Sequence, residues 1–377
     1  MVTSQKMGNV VTTSTSTCSE TISCILLSPF LLKRTHLFPT SSQTMHSPVD
    51  TKPGVHTFAA QWPIYSIAWT HRRDTRPRVA IGSFREEYSN KVELVQFNPD
   101  TSQFTTDHRL VFDHPYAATC LMFVPSDSSS HPDLLATSGD YLRLWRIHED
   151  HIELRNLFNG NKASEFSSPI TSFDWAHFDL HRIVAASVDT TCTVWDTERA
   201  CVDTQLVAHE KEVYDVSWGG YNVFASVSGD GSVRVFDLRN KDRSTIIYES
   251  HGQDCPLLRV EWNKGDPRFV ATVGMDSRKV VILDIRYPAM PLMELARHKG
   301  SVNAVTWAPA IGGRICTVGD DTRALIWEVS AAEGGARDLE PEMVYASTAE
   351  INNARWCPVD IDWLAIVFLN KLQMLRV

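Results

Sequence analysis

The sequence lacks the short motifs that carry most enzymatic and metal chemistry. It contains no Gly-rich phosphate loop, no HExxH and no G-x-S-x-G, which disfavours nucleotide, zinc-peptidase and serine-hydrolase chemistry. The eight cysteines form no C-x-x-C pair and no short Cys/His cluster of the kind that a zinc site needs. Reduced, buried thiols in an intracellular compartment are therefore expected. We predict no catalytic residue, no metal and no cofactor.

Long apolar runs and a surplus of positive charge are missing as well. No stretch approaches the roughly 18 consecutive apolar residues that a membrane span needs, so none is predicted. The net charge of −9 lies in the chain after residue 54, since residues 1–54 are slightly basic. An acidic body repels phosphate backbones, which argues against direct nucleic-acid binding. Residues 1–54 are rich in Ser and Thr and poor in Arg, which favours a disordered extension over a transit peptide.

Tryptophan reveals an internal repeat. Seven apolar runs end near a bulky aromatic residue, at intervals of 43 to 54 residues. These aromatics are Trp69, Phe123, Trp175, Trp218, Trp262, Trp307 and Trp356. In each unit a second apolar run follows, which is rich in small residues. A third run then carries a bulky aromatic or aliphatic residue at a matching position, and these residues form a second register. Nine of the eleven tryptophans fall in these two registers, so the chain contains seven related units.

The repeat predicts an all-β, seven-bladed propeller. Runs of five to seven β-branched and aromatic residues between Gly, Asp and Asn turns are typical of antiparallel strands, and segments such as 244–250, 293–298 and 341–348 supply a fourth strand. The seventh unit has three strands, so the segment 54–61 is predicted to complete it and close the ring. One domain over residues 55–377 follows, with Trp62 and Trp363 filling the core near the closure.

Four stretches resemble the repeats of WD40 proteins: AHEKEVYDVSW, SGDGSVRVFDLR, RHKGSVNAVTW and GDDTRALIWEV. Longer stretches such as DLLATSGDYLRLWRI and VDTTCTVWDTE are similar to one subgroup, which contains the plant Transparent Testa Glabra and light-regulated WD proteins and an animal DDB- and cullin-associated factor. This resemblance covers about residues 56–377. It implies a non-catalytic, monomeric scaffold in a nuclear and cytoplasmic hetero-complex. The implied partners are MYB and basic helix-loop-helix factors, clock regulators or a protein kinase; the alternative is a substrate receptor of a cullin-DDB ubiquitin ligase.

The WD40 resemblance also implies a buried structural network in three units. In unit six it consists of His298, Thr317, Asp321 and Trp327. In unit four it consists of His209, Ser226 and Asp230, and it ends early because Phe236 replaces the usual tryptophan. In unit two the corresponding residues are His114, Asp140 and Trp145. From the residues themselves, Asp230 and Gly231 are expected to supply the positive φ angles of a tight hairpin turn.

Two further sets of residues are candidate contacts with partner proteins. Tyr116, Phe166, Lys211 and Glu212 lie in loops that enter first strands, where exposed aromatic and charged side chains provide recognition. The tripeptides Asp237-Leu238-Arg239 and Asp284-Ile285-Arg286 resemble the WDxR-type box with which WD40 proteins dock on the DDB adaptor, although Phe236 and Leu283 replace its tryptophan. The alternative is that each arginine pairs with a local carboxylate.

Overall fold

The computed structural model describes residues 54–85, 89–98, 101–159, 168–250, 255–309, 312–329 and 339–377. These residues form 28 β-strands, arranged as seven four-stranded antiparallel sheets. None of the described residues lies in a helix, so that part of the chain has no helix able to cross a membrane. The Ser/Thr-rich segment 1–54 lies, except for Gly54, outside the described residues.

Each sheet is one blade built from consecutive strands. Blade one contains β2 (Ile64–Trp69), β3 (Arg78–Ser83), β4 (Asn90–Asn98) and β5 (Gln103–His114). Blade two contains β6 (Leu121–Phe123), β7 (Leu134–Thr137), β8 (Leu142–Ile147) and β9 (Ile152–Phe158). Blade three contains β10 (Ile170–Trp175), β11 (Arg182–Ser187), β12 (Thr191–Asp196) and β13 (Cys201–Val207). Blade four contains β14 (Val213–Gly220), β15 (Val223–Ser228), β16 (Ser232–Asp237) and β17 (Ser244–Glu249).

The remaining blades repeat the pattern, and the last takes one strand from the start of the described chain. Blade five contains β18 (Leu257–Trp262), β19 (Phe269–Gly274), β20 (Val280–Asp284) and β21 (Pro291–Leu295). Blade six contains β22 (Val302–Trp307), β23 (Arg314–Gly319), β24 (Arg323–Glu328) and β25 (Met343–Ala346). Blade seven contains β26 (Asn353–Trp356), β27 (Trp363–Phe368), β28 (Lys371–Arg376) and β1 (Val55–Ala59).

The predicted ring closure is confirmed. Strand β1 pairs antiparallel with β28, from Val55 opposite Leu375 to Ala59 opposite Lys371. Asn370 Nδ2 donates to the Ala60 carbonyl oxygen at 2.9 Å, which fixes the C-terminal end of β1. Trp363 lies at this closure and meets Phe97 edge to face, with ring centroids 5.4 Å apart. The first and last described strands therefore share one sheet and one hydrophobic cluster.

The core lies between blades rather than at a single centre. Seven hydrophobic clusters each join residues of two neighbouring blades. Because both faces of the inner strands are covered, these strands read as continuous apolar runs with few exposed positions, as in β3 and β22. The six described cysteines are free, and Cys192, Cys316 and Cys357 are buried.

Two local predictions need correction. Strand β21 spans Pro291–Leu295, whereas the sequence predicted residues 293–298. The β15–β16 turn is also different, because Gly231 has a φ of 79° while Asp230 is not among the residues with positive φ. The Gly231 N–H donates to the Ser228 oxygen at 3.1 Å, so Gly229 and Asp230 are the central residues and Gly231 follows in the left-handed conformation. Hydrogen bonds made by the Asp230 carboxylate stabilise this longer turn, which a two-residue pattern does not anticipate.

Candidate protein-interaction surfaces

The strand order of a blade defines two faces of the ring. Loops that enter first strands and turns between second and third strands lie on one face, here called the upper face. Turns that join first to second and third to fourth strands lie on the opposite, lower face. Asp230 therefore lies on the upper face and Asp237 on the lower face, although only seven positions separate them.

Blade six contains a continuous hydrogen-bond network from the core to the upper face. Trp327 Nε1 donates to Thr317 Oγ1 at 2.9 Å, and Thr317 Oγ1 lies 2.8 Å from His298 Nε2. His298 Nδ1 lies 2.9 Å from Asp321 Oδ1, and Asp321 also accepts the Lys299 backbone N–H. Every member is satisfied if Thr317 donates to Nε2 and Nδ1–H donates to Asp321. Such a fully paired network rigidifies the blade.

Blade four contains a shorter version of this network. His209 Nε2 lies 2.7 Å from Ser226 Oγ, and His209 Nδ1 lies 2.9 Å from Asp230 Oδ2. Phe236 has no N–H to donate and stacks on Phe224 instead, with ring centroids 5.1 Å apart and an interplanar angle of 13°. The network therefore ends at Ser226 on its inner side.

On its outer side, the blade-four network continues beyond the predicted residues. Ser232 Oγ donates to Asp230 Oδ1 at 2.7 Å, and Arg234 Nη2 donates to Asp230 Oδ2 at 3.3 Å. Burial opposes the charge of Asp230, but hydrogen bonds from His209 and Ser232 outweigh it and hold the pKa of this carboxyl well below its usual range. Asp230 therefore stays ionised, with a cation beside it.

Blade two joins only part of its predicted set. Trp145 Nε1 donates to Thr137 Oγ1 at 3.0 Å, and Thr137 Oγ1 lies 3.0 Å from His114 Nε2. His114 Nδ1 then lies 2.6 Å from the Tyr116 carbonyl oxygen, whereas Asp140 pairs with Arg143 at 2.6 Å. Including Asp140 in the network was thus wrong, because the neighbouring arginine takes its carboxylate. Burial lowers the pKa of His114 to about 4, so its ring is neutral.

The upper-face contact candidates differ in exposure. Lys211 and Glu212 are exposed on the loop before β14, and Tyr116 is half-buried on the loop before β6. Phe166 lies outside the described residues. Gly229 faces the Lys211 and Glu212 side chains closely enough that an added Cβ would lie 3.3 Å from each. The upper rim of blade four is therefore compact, with opposite charges side by side.

The two D-x-R boxes lie on the lower face of neighbouring blades. In each box the arginine forks onto its own aspartate: Arg239 Nε and Nη2 bond Asp237 at 2.9 and 2.5 Å, and Arg286 bonds Asp284 at the same distances. Hydrogen bonds from Arg239 hold the pKa of Asp237 at about 2. The local pairing that the sequence left as an alternative is therefore present in both boxes. It still leaves the Arg239 side chain 71% and the Arg286 side chain 48% exposed.

Sequence reasoning missed two more pairs of this kind and the apolar residues beside one box. Arg109 forks onto Asp107, and Arg268 forks onto Asp266, so the same D-x-R fork occurs at four places in the described chain. Tyr287 and Met290 follow the second box and are 64% and 71% exposed. Large exposed apolar side chains beside a positioned arginine are typical of interaction sites.

A central channel runs between the inner strands and holds a cavity of about 220 Å³. Its lining includes six charged side chains on four blades: Asp174, Asp215, Arg259, Glu261, Lys264 and Arg355. Opposite charges compensate each other, since Lys264 Nζ lies 2.7 Å from Asp174 Oδ2 and Arg355 Nη1 lies 3.5 Å from Glu261 Oε2. The channel is therefore braced by ion pairs between non-adjacent strands.

Two of these acids join blades by the same geometry. The Asp174 carboxylate accepts the Trp218 backbone N–H at 2.7 Å, while its carbonyl oxygen accepts the indole N–H at 3.0 Å. Glu261 holds Trp307 in the same way, with both distances 3.0 Å. Each acid directly precedes the tryptophan of its own repeat, so a charged residue inside an apolar strand was the signal that the sequence offered.

Comparisons with known proteins agree with this architecture. A family model described as "WD domain, G-beta repeat" matches residues 199–237, which end with strand β16. A protein of Dictyostelium discoideum named DDB1- and CUL4-associated factor 7 homolog is 46% identical, over 86% of this chain and 99% of its own length. A WD repeat-containing protein of Saccharomyces cerevisiae is 32% identical, over 85% of this chain and 76% of its own length.

Proposed function

We propose that this chain, which belongs to the WD40-repeat family that includes DDB1- and CUL4-associated factor 7, is a non-catalytic substrate receptor of a cullin ubiquitin ligase. In this role the lower face binds the DDB1 adaptor and the upper face holds a client protein. The proposal follows the name of the Dictyostelium relative. It favours the ligase alternative over a free-standing transcriptional scaffold.

The observation that carries the proposal is the arrangement of Arg239 and Arg286. Both arginines lie on the lower face of adjacent blades, and a carboxylate orients each guanidinium while its side chain stays exposed. An arginine that is already oriented loses less side-chain entropy on binding than a free one. Tyr287 and Met290 add apolar area beside Arg286, which is the usual composition of a protein-binding hot spot.

The upper face supports the client half of the proposal. Lys211 and Glu212 are exposed on a loop that the blade-four network anchors through His209, and rigidly held loops of this kind are common recognition elements. The client classes that the sequence resemblance implies are MYB and basic helix-loop-helix transcription factors and protein kinases. In this proposal these proteins are the clients that the upper face binds, in the nucleus and the cytoplasm.

Adaptor binding by the full chain tests the proposal. We expect the purified protein to bind DDB1 in a calorimetric titration, and the double variant R239A/R286A to lose at least about tenfold in affinity. Arg109→Ala is the matched control, since Arg109 forms the same D-x-R fork on β5 and is expected to leave binding unchanged. Melting curves check folding, which exposed ion pairs hardly affect.

Each other outcome contradicts a stated part of the proposal. If the wild-type chain does not bind the adaptor, the ligase role is wrong. If R239A/R286A binds at full strength, the boxes are not the docking site. If K211E/E212K loses adaptor binding as strongly as the double variant, the assignment of adaptor and client to opposite faces is wrong.

A further inference from the structure

The β8–β9 hairpin of blade two brings three metal-binding side chains to one side of the sheet. Ile147 pairs with Ile152, and the His148 N–H donates to the His151 oxygen at 2.9 Å, so His148 and His151 lie opposite each other across a two-residue turn. Glu153 follows His151 by two positions, and residues two apart in a strand share a face. The backbone register alone therefore groups His148, His151 and Glu153.

The side chains converge as the register requires. The two imidazole rings stack with centroids 4.3 Å apart and an interplanar angle of 6°. His148 Nε2 lies 3.3 Å from Glu153 Oε1, and one donor atom from each of the three residues lies within 4.8 Å of the others. In the described part of the chain this is the one His, Cys, Asp and Glu group with that geometry.

Two details favour metal binding over a chance surface cluster. His148 Nε2 is buried, and its one carboxylate contact, Glu153 Oε1 at 3.3 Å, does not have hydrogen-bond geometry, which is uncommon for a buried polar atom. His151 Nδ1 lies 2.8 Å from Asp150 Oδ1. If the proton resides on Nδ1, Nε2 keeps its lone pair for a ligand, and a carboxylate behind a histidine is the usual support of a metal-bound imidazole.

We propose that His148, His151 and Glu153 bind a zinc ion on the lower face of blade two, with water at the fourth position. Two imidazoles and one carboxylate match the ligand preference of Zn²⁺. Zinc bonds of roughly 2.0–2.2 Å require donor atoms about 3.3 Å apart in a tetrahedral site, so the rings must turn slightly inward from their stacked positions. His148 is half-buried and His151 is exposed at the tip of the hairpin, so we expect His151 to make most of this adjustment.

The site contains neither a cysteine pair nor HExxH, so those zinc motifs do not indicate it. The motif here is H-x-x-H-x-E, which is a weak signal on a helix but places all three side chains together in a hairpin. Arg146 lies opposite Glu153 in the β-ladder, so its positive charge is expected to oppose a zinc ion at this site. Removing Arg146 is therefore expected to strengthen zinc binding rather than weaken it.

Calorimetric titration of the untagged full chain with zinc chloride tests the proposal. We expect one zinc ion per chain, and at least a tenfold loss of affinity in both His151→Ala and Glu153→Gln. Cobalt substitution adds a spectroscopic readout, because a tetrahedral Co²⁺ site with two imidazoles absorbs in the visible range and an octahedral aqueous ion hardly does. His181→Ala is the matched control, since His181 faces a single carboxylate, Glu198, at 3.9 Å.

The possible results separate clearly. Saturable binding that disappears in His151→Ala and persists in His181→Ala supports the site. No saturable binding by the wild type at a tenfold molar excess of zinc overturns it, and so does binding that both His151→Ala and Glu153→Gln retain in full. The hairpin tip is exposed, so unfolding of these variants is not expected, and circular dichroism verifies it.

Discussion

Blades four and six begin from the same network and complete it differently. In blade six, Trp327, Thr317, His298 and Asp321 form one unbroken series of hydrogen bonds. In blade four the indole is missing, and Asp230 is instead paired with Arg234. Both blades share the histidine and its two neighbours. The tryptophan extends the network at its inner end in blade six, and the arginine extends it at its outer end in blade four.

The same two blades also differ on the side that faces the central channel. An acid of the preceding blade holds Trp218 in blade four and Trp307 in blade six. Asp174 has Lys264 at 2.7 Å, but Glu261 reaches Arg355 only at 3.5 Å. Burial raises the pKa of Glu261 to about 7, against the opposing effect of Arg355. The charge of the Glu261 junction therefore changes with pH near neutrality.

The largest effect is expected from removing the two histidines. His298→Ala should lower the free energy of unfolding by about 4 kcal/mol, and His209→Ala by about 3 kcal/mol, through lost hydrogen bonds and a cavity. The difference arises because Asp230 retains Arg234, whereas Asp321 would remain buried with only backbone donors. Denaturant midpoints measure both values. A larger loss for His209→Ala would contradict the comparison.

The contribution of Glu261 to the free energy of unfolding should depend on pH. Glu261 has a higher pKa in the folded protein than its ordinary value of 4.5, so its protonation stabilises the fold below about pH 4.5 and this contribution is lost as the pH rises through 7. Glu261→Gln should therefore gain about 3 kcal/mol relative to wild type between pH 5 and pH 8. Asp174→Asn is the comparison, and it should cost about 2 kcal/mol because it breaks the ion pair with Lys264. Identical pH profiles of unfolding for Glu261→Gln and wild type would rule this out.

Changing Trp327 to Phe should convert blade six to the form of blade four. We expect a loss of about 2 kcal/mol, from one hydrogen bond to Thr317 and a small cavity. Thr317→Val combined with Trp327→Phe should cost less than the sum of the two single changes, because both remove the same bond. Additive effects in this double-mutant cycle would show that the bond contributes nothing.

The smallest effects are expected in the upper turns. Gly231 of blade four and Thr322 of blade six both have positive φ, at 79° and 64°. Gly231→Ala should cost at least about 1 kcal/mol, because an added Cβ would also lie 2.6 Å from Ser250 Oγ and 3.0 Å from the Cys255 oxygen. Thr322→Gly should gain about 0.5 kcal/mol, since a β-branched residue is strained in this conformation. Thermal melts that rank the two variants in the opposite order would contradict this reasoning.

The fold could be predicted because its signal is repeated. Trp69 and its six equivalents recur in one register, and strand β1 was predicted from a seventh unit that stops after three strands. The network of blade six was implied by the resemblance of its residues to the WD40 pattern. Asp140 shows the limit: its position matches the repeat, but Arg143 takes its carboxylate, and no repeat pattern encodes that competition.

The lower face and the channel could not be derived in the same way. The pairing of Arg286 with Asp284 depends on side-chain rotamers, so the sequence left both readings of the D-x-R boxes open. Glu261 and Arg355 are 94 positions apart and meet only because the ring places their strands across one channel. Long-range contacts of this kind require the closed propeller, which periodicity predicts only in outline.

Strand β1 has a consequence for how the chain folds during synthesis. Thr57 bonds Gln373, 316 positions later, so β1 leaves the ribosome long before its partner strand exists. Blades one to six can assemble from local segments, but β1 presents a free strand edge until β28 is made, and such edges attract other chains. The exposed edge of β1 is therefore covered only after β28 has been synthesised. A truncation that removes β28 would leave β1 without its partner strand in blade seven.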